Sequence, residues 1–172
     1  ALEPVGGEPL IQRVIGRLSR VTSETVVVVN DEQRGEELGV PKSTRVAVDL
    51  YPGSGSLGGI FTGLQAADAD WGIVVACDMP FLNLALLGLM LELRDGHDAV
   101  VPLLDGRPEP THAAYSKACL AAIEPRLQAG DLKIARFFES VRVHYIPQGE
   151  VEKKDPELLS FFNVNSPVVS VF

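Results

Sequence analysis

Apolar residues recur along this chain with two periods, and the two periods alternate. Over residues 9–20, Leu10, Ile11, Val14, Ile15 and Leu18 fall on one helical face, and Pro9 suits a first-turn position. Residues 25–29 are a continuous β-branched run, the pattern of a strand buried on both faces. Similar apolar runs follow at 46–48, 73–77 and 99–101, the last closed by Pro102. Helical spacing returns at 57–67, 84–94, 116–127 and 134–140, and a further strand is expected at 141–146. Strands alternating with helices predict an α/β fold with a mostly parallel central sheet and helices on both sides. No repeat or low-complexity linker interrupts the pattern, so residues 1–172 are expected to form a single domain. In such sheets ligands bind beyond the carboxyl ends of the strands, which directs attention to the residues just after each apolar run.

Composition narrows the classes. At 46% hydrophobic and 22% charged, 172 residues support one real core and exclude chain-wide disorder. Fifteen basic against twenty-three acidic side chains give a net charge of −8, which argues against nucleic acid or an anionic membrane as partner. A small phosphorylated ligand stays compatible, because metal ions and backbone amides hold phosphate locally. Two cysteines, Cys77 and Cys119, do not make a disulfide scaffold and point to a reducing compartment. The apolar stretch at 79–91 carries Asn83 and falls short of the roughly 20 residues a spanning helix needs. No basic-then-apolar leader opens the chain, so a cytoplasmic location is expected.

The strand ends carry the candidate chemistry. Asn30-Asp31 follows the first run, and Asp49 follows the second, ahead of Pro52-Gly53-Ser54-Gly55-Ser56-Leu57-Gly58-Gly59. Cys77-Asp78-Met79-Pro80 follows the third. A carboxylate leaving an apolar strand is costly to desolvate without a partner, and a hard oxygen donor suits magnesium. An Asp capping the next helix explains Asp78 equally well. Glycines at 53, 55, 58 and 59 let backbone approach a flat or phosphorylated ligand, although a plain turn has the same composition and the Gly-Lys-Ser/Thr ending of a P-loop is absent. Asn163 and Asn165 would share one side of an extended segment, or else serve as turn residues. Residues 105–112 read as a loop joining Arg107, Glu109 and His112, with charge pairing the commoner use of such a group. No Gly-x-Ser-x-Gly elbow and no metal-ligand histidine spacing is present.

Together these residues resemble the molybdenum cofactor guanylyltransferase family, nucleotidyltransferases with a three-layer Rossmann-like fold. The matching pieces run in order along nearly the whole chain. They are Pro4-Val5-Gly6-Gly7-Glu8-Pro9-Leu10, Asp49 with Pro52-Gly53-x-Gly55-x-Leu57-Gly58-Gly59-Ile60, Cys77-Asp78-Met79-Pro80-Phe81-Leu82, Gly106-Arg107-x-Glu109-Pro110, and Asn163-x-Asn165-Ser166-Pro167. The Cys-Asp-Met-Pro and Asn-x-Asn pieces are the most specific.

The resemblance implies transfer of GMP from GTP to molybdopterin with release of pyrophosphate. By position, Asp78 would be the catalytic and metal-binding residue, with Mg2+ as cofactor. Asn30, Asp49, Pro52, Gly53, Gly55, Leu57, Gly58 and Gly59 would join Asp78 in binding the nucleotide. Arg107, Asn163 and Asn165 would face the pterin substrate. A CTP-dependent cytidylyltransferase and a non-catalytic nucleotide-binding module are the alternatives. Transient contacts with proteins that supply and receive the cofactor are a further expectation. Two departures stand out: the family's opening strand and Gly-Gly…Arg…Lys phosphate loop would precede Ala1, and residues 168–172 replace the usual acidic ending. On this reading the chain as given lacks part of its phosphate site.

Overall fold

The computed structural model describes residues 4–5, 8–164 and 170–171. A short pair, β1 (Pro4–Val5) and β2 (Glu8–Pro9), leads into helix α1 (Leu10–Leu18). Then come β3 (Val26–Val29), α2 (Glu32–Glu37), β4 (Arg45–Val48), α3 (Gly55–Ala66), β5 (Trp71–Ala76) and α4 (Leu84–Glu92). The second half adds β6 (Ala99–Leu104), β7 (Arg107–Pro108), β8 (His112–Ser116), α5 (Leu120–Gln128), α6 (Ile134–Phe138), β9 (Val143–Ile146) and α7 (Gln148–Lys154). A 3-10 turn at Leu159–Phe161 and β10 (Ser170–Val171) complete the described chain.

One sheet of order β4-β3-β10-β5-β8-β6-β7, with β9 paired to β6, forms the middle layer. Alternation along each strand divides its side chains between two cores. Val27, Val29, Ile73, Val75 and Val100 pack with α1, α4 and α7. Val26, Val28, Val74, Ala99, Val101 and Tyr115 pack with α3, α5 and α6. The three-layer α/β architecture is therefore present, because β3, β5, β6 and β8 bury apolar side chains on both faces.

The expectation of a mostly parallel sheet is corrected. Among the described residues only β3–β4 and β6–β9 pair in parallel; β10 is antiparallel to β3 and β5, and β8 is antiparallel to β5 and β6. The strands joined by helices, β3, β4, β5, β6 and β9, still all run one way. Part of the mixing comes from β8, which is entered without a crossover helix, while β10 runs against its neighbours although α7 precedes it. A tight turn at Asp105 and Gly106, with φ of 50° and 73°, reverses the chain into β7, and β8 then wedges between β5 and β6. Parallel neighbours need a long crossover, and a two-residue turn allows only an antiparallel return. The region read as a loop at 105–112 thus contains β7 and the first residue of β8.

A second correction concerns the run at 46–48. As the sheet edge, β4 leaves Val46 39% and Val48 38% exposed rather than buried on both faces. Among the described residues no helix is long and apolar enough to cross a membrane.

Candidate nucleotide and metal site

Because β3, β4 and β5 point the same way, their carboxyl ends bring Asn30, Asp49 and Asp78 to one rim. Asn30 is exposed at the end of β3. Asp49 extends the β3–β4 ladder through its amide, which donates to the Val29 carbonyl at 2.8 Å. Asp78 stands two residues past β5, two strand spacings from β3 across β10, or about 10 Å.

Asp49 is turned inward. Its Oδ1 accepts hydrogen bonds from the Tyr51 amide and the Thr62 hydroxyl, both at 3.0 Å, and Thr62 Oγ1 accepts from the Leu50 amide at 3.0 Å. A nearly buried carboxylate needs such donors, and here they fold residues 49–51 back onto α3. The glycine-rich turn follows. Gly53 and Gly55 adopt φ of +80° and +59°, which a side chain would oppose, while Pro52 is exposed between them and the strand. Ser54 precedes α3 without a side-chain cap, so the first amides of that helix face the rim side of the turn. Leu57 sends its side chain into the core, and Gly58 and Gly59 are buried.

Gly58 has a packing reason of its own. A Cβ there would lie 3.0 Å from Ser54 Cβ, 3.1 Å from the Tyr51 carbonyl oxygen and 3.2 Å from Asp49 Oδ1. The carbonyl belongs to the turn backbone and yields poorly, so Gly58→Ala is expected to destabilise the protein by about 1–3 kcal/mol. A urea midpoint equal to that of the parent would contradict this.

Asp78 is half-buried, and burial pushes its carboxyl above the ordinary carboxylate value while its own backbone amide pulls the other way. Among the described residues no arginine or lysine forms an ion pair with it. The Asp78 carbonyl accepts a hydrogen bond from the Val164 amide at 2.9 Å, which brings exposed Asn163 beside the Asp78 turn. Asn165 lies outside the described residues. Arg107 is exposed on β7 at the far edge of the sheet, with β8 and β6 between it and β5, so it does not join the glycine turn. Neighbouring Glu109 is half-buried, and desolvation raises its carboxyl as well. Among the described residues no group of three or more His, Cys, Asp or Glu stands together, so these residues form no multi-ligand cage for a cation.

Sequence reasoning missed several residues that support this rim. Asn83 caps α4, its Oδ1 accepting from the Ala85 and Leu86 amides at 3.0 and 3.1 Å; an Asn directly before a helical apolar run is the signal for such a cap. Arg17 reaches from α1 to donate to the Leu82 carbonyl at 2.6 Å. His112 opens β8 with its ring wholly buried against Phe161, centroids 4.6 Å apart, and among the described residues neither ring nitrogen has a partner. A cavity of about 320 Å³ lies at the opposite, amino end of β3 and β5, lined in part by Val26, Leu64 and Trp71; no expected site residue lines it.

Known proteins are similar to this chain. The family model described as MobA-like NTP transferase domain matches residues 1–145. A probable molybdenum cofactor guanylyltransferase from Pelotomaculum thermopropionicum is 39% identical over 97% of this chain and 80% of its own length. A molybdenum cofactor guanylyltransferase from Desulfosudis oleivorans is 34% identical over 96% of this chain and 81% of its own. The crystal structure of molybdopterin-guanine dinucleotide biosynthesis protein A from Archaeoglobus fulgidus superposes with a TM-score of 0.82 at 32% identity, covering 96% of this chain and 84% of that one. With the family model spanning most of the chain and relatives above 30% identity along nearly all of it, this protein belongs to the MobA-like NTP transferase family of nucleotidyltransferases.

Proposed function

We propose that the protein transfers the GMP moiety of GTP to the terminal phosphate of molybdopterin and releases pyrophosphate. The names of its relatives support the reaction class, and the observation that carries it here is Asp78. A carboxylate that remains half-desolvated at a ligand rim, with no Arg or Lys paired to it among the described residues, has the chemistry of a cation ligand rather than of a structural ion pair. Its hard oxygen donors fit magnesium, which when bound supplies charge neutralisation to phosphate oxygens.

The remaining roles belong to the chain's own residues. The exposed backbone around Gly53 and Gly55 and the uncapped start of α3 receive the nucleotide, with Asn30 at the neighbouring strand end. Asp49 acts on the nucleotide through that turn, since its Oδ1 already holds Tyr51 and Thr62. Asn163, beside the Asp78 turn, faces the pterin substrate, with Asn165 and Arg107 as further contacts to that substrate. An oxygen of the molybdopterin phosphate attacks the α-phosphorus of GTP, and the bond from that phosphorus to the bridging oxygen breaks toward pyrophosphate. The attacking oxygen is already ionised near neutral pH, so the protein needs to position and neutralise rather than to abstract a proton. Residues 1–172 act as one nucleotidyltransferase domain in this reading.

Pyrophosphate release from the full chain with GTP, Mg2+ and molybdopterin tests the proposal. GTP is expected to support turnover at least about tenfold faster than CTP, a difference of some 1.4 kcal/mol in transition-state binding. Faster turnover with CTP would overturn the base assignment, and none with either nucleotide would overturn the reaction.

A further inference from the structure

Two buried polar residues on the far side of the Asp78 turn, Asp155 and Ser160, have no part in the reaction as written above. Ser160 is wholly buried and Asp155 is 5% exposed, an expensive place for a carboxylate unless donors surround it. Asp155 Oδ2 accepts from the Ser160 amide at 2.8 Å, and Ser160 Oγ accepts from the Asn83 amide at 2.8 Å. The Asn83 side chain donates from Nδ2 to the Lys154 carbonyl at 2.8 Å while its Oδ1 caps α4. At the other end, the Val164 amide closes on the Asp78 carbonyl at 2.9 Å. Residues 78–83 are therefore tied to residues 154–164 at both ends. Leu158 takes the left-handed conformation, with φ of 52°, to turn the chain into this clamp, a strain that a plain connector would not need.

We infer that Asp155 and Ser160 are positioning residues that hold the Asp78 turn and the Asn163 segment in one arrangement. The inference rests on the functional reading above, in which Asp78 serves the nucleotide side and Asn163 the pterin side. A buried polar group is a poor way to add stability, since an apolar replacement often does as well. A hydrogen-bonded polar network instead selects a geometry. Phosphoryl transfer depends on that, because a misplacement of about 1 Å between reactants costs up to about 100-fold in rate. The clamp joins the two halves of the site through backbone and leaves the glycine turn untouched.

The test uses the full chain and three variants, Asp155→Ala, Asp155→Asn and Asn83→Asp, in pyrophosphate-release assays with GTP, Mg2+ and molybdopterin. Amide exchange across residues 158–164 is followed in the same preparations. Asp155→Ala is expected to lower kcat and raise the molybdopterin KM by about tenfold each, with the GTP KM within about twofold of the parent. Exchange at 158–164 should quicken while that of β6 stays unchanged. Asp155→Asn keeps an acceptor for the Ser160 amide and should restore both readouts. Parent-like kinetics in Asp155→Ala overturn the inference, and so does a loss of active enzyme with both KM values unchanged, which is the mark of a purely structural role. Should Asp155→Ala fail to fold, Asn83→Asp decides, because it keeps the helix cap and loses only the donor to Lys154. The same split at about threefold supports the clamp, and its absence overturns it. A parent protein without turnover refutes guanylyl transfer itself, and amide exchange then judges the clamp alone.

Discussion

Asp78→Ala is expected to lower metal-dependent guanylyl transfer by at least about 100-fold while leaving the folded state as stable as the parent or more so. Both halves of this result follow from one property. The carboxylate is half-desolvated at the rim, so its charged form is disfavoured by burial in the isolated protein. Removing it relieves that cost, because among the described residues no ion pair is broken. The Val164 amide, bonded to the Asp78 backbone carbonyl, places this residue beside Asn163, where loss of the carboxylate is expected to be felt in turnover. Activity and stability are therefore expected to move in opposite directions, the signature of a group kept for function at some cost to the fold. Turnover titrated with Mg2+ and GTP, together with melting curves, provides the check. Equal metal-dependent rates in parent and variant would remove Asp78 from the mechanism, and a large fall in melting temperature would make it a structural residue.

Stability toward acid is expected to be governed in large part by His112. Burial pushes its pKa from 6.5 down to about 4, with Asp155 pulling weakly the other way. In the unfolded chain the imidazole takes up its proton near 6.5, and in the folded protein only near 4. Between those values the unfolded state binds more protons, so stability falls as the pH drops through this window. The full span corresponds to roughly 3 kcal/mol, and the part between pH 6.5 and 5 to about 2 kcal/mol. Asp78 and Glu109 work in the opposite sense: their raised folded values make their contribution largest in acid, and it is lost as the pH rises. A His112→Leu variant separates the two, since it removes only the imidazole. It should also lose nothing at neutral pH through hydrogen bonding, because among the described residues neither ring nitrogen has a partner. Urea midpoints of parent and variant at pH 7.5 and pH 5 are expected to diverge in acid by about 2 kcal/mol in favour of leucine. Parallel behaviour at the two pH values would show that His112 is not the group that titrates.

Much of this architecture was readable from residue patterns. The tetravaline run became β3, the run at 73–77 became β5 with Cys77 just beyond it, and the Leu10, Ile11, Val14, Ile15 and Leu18 stripe became the buried face of α1. Elements with weak periodicity escaped. Helix α2, Glu-Gln-Arg-Gly-Glu-Glu, has no apolar face to betray it, and β8, His-Ala-Ala-Tyr-Ser, carries two alanines where strands favour β-branched residues. Strand β8 forms because it pairs along both edges, with β5 and β6, a reason that exists only once those two strands flank it. The candidate site divides in the same way. Asp78 was visible as a charge ending an apolar run, whereas Ser160 and Asp155 are common loop residues; Ser160 meets Asn83, 77 positions away, and Asp155 joins through Ser160.

Local order alone thus settled which strongly periodic segments are helix or strand, how the acidic and amide residues follow the strands, and which family the chain resembles. These depend on contacts within a few residues and on the period of apolar side chains. Only the folded chain decided that the sheet is mixed, that Val46 and Val48 lie at an open edge, that Arg107 sits far from the glycine turn, and that the Asp78 turn is bolted to the segment carrying Asn163. Strand order, burial and long-range hydrogen bonds are properties of pairs distant in sequence, and the free energy of such pairs exists only after the backbone has closed around them.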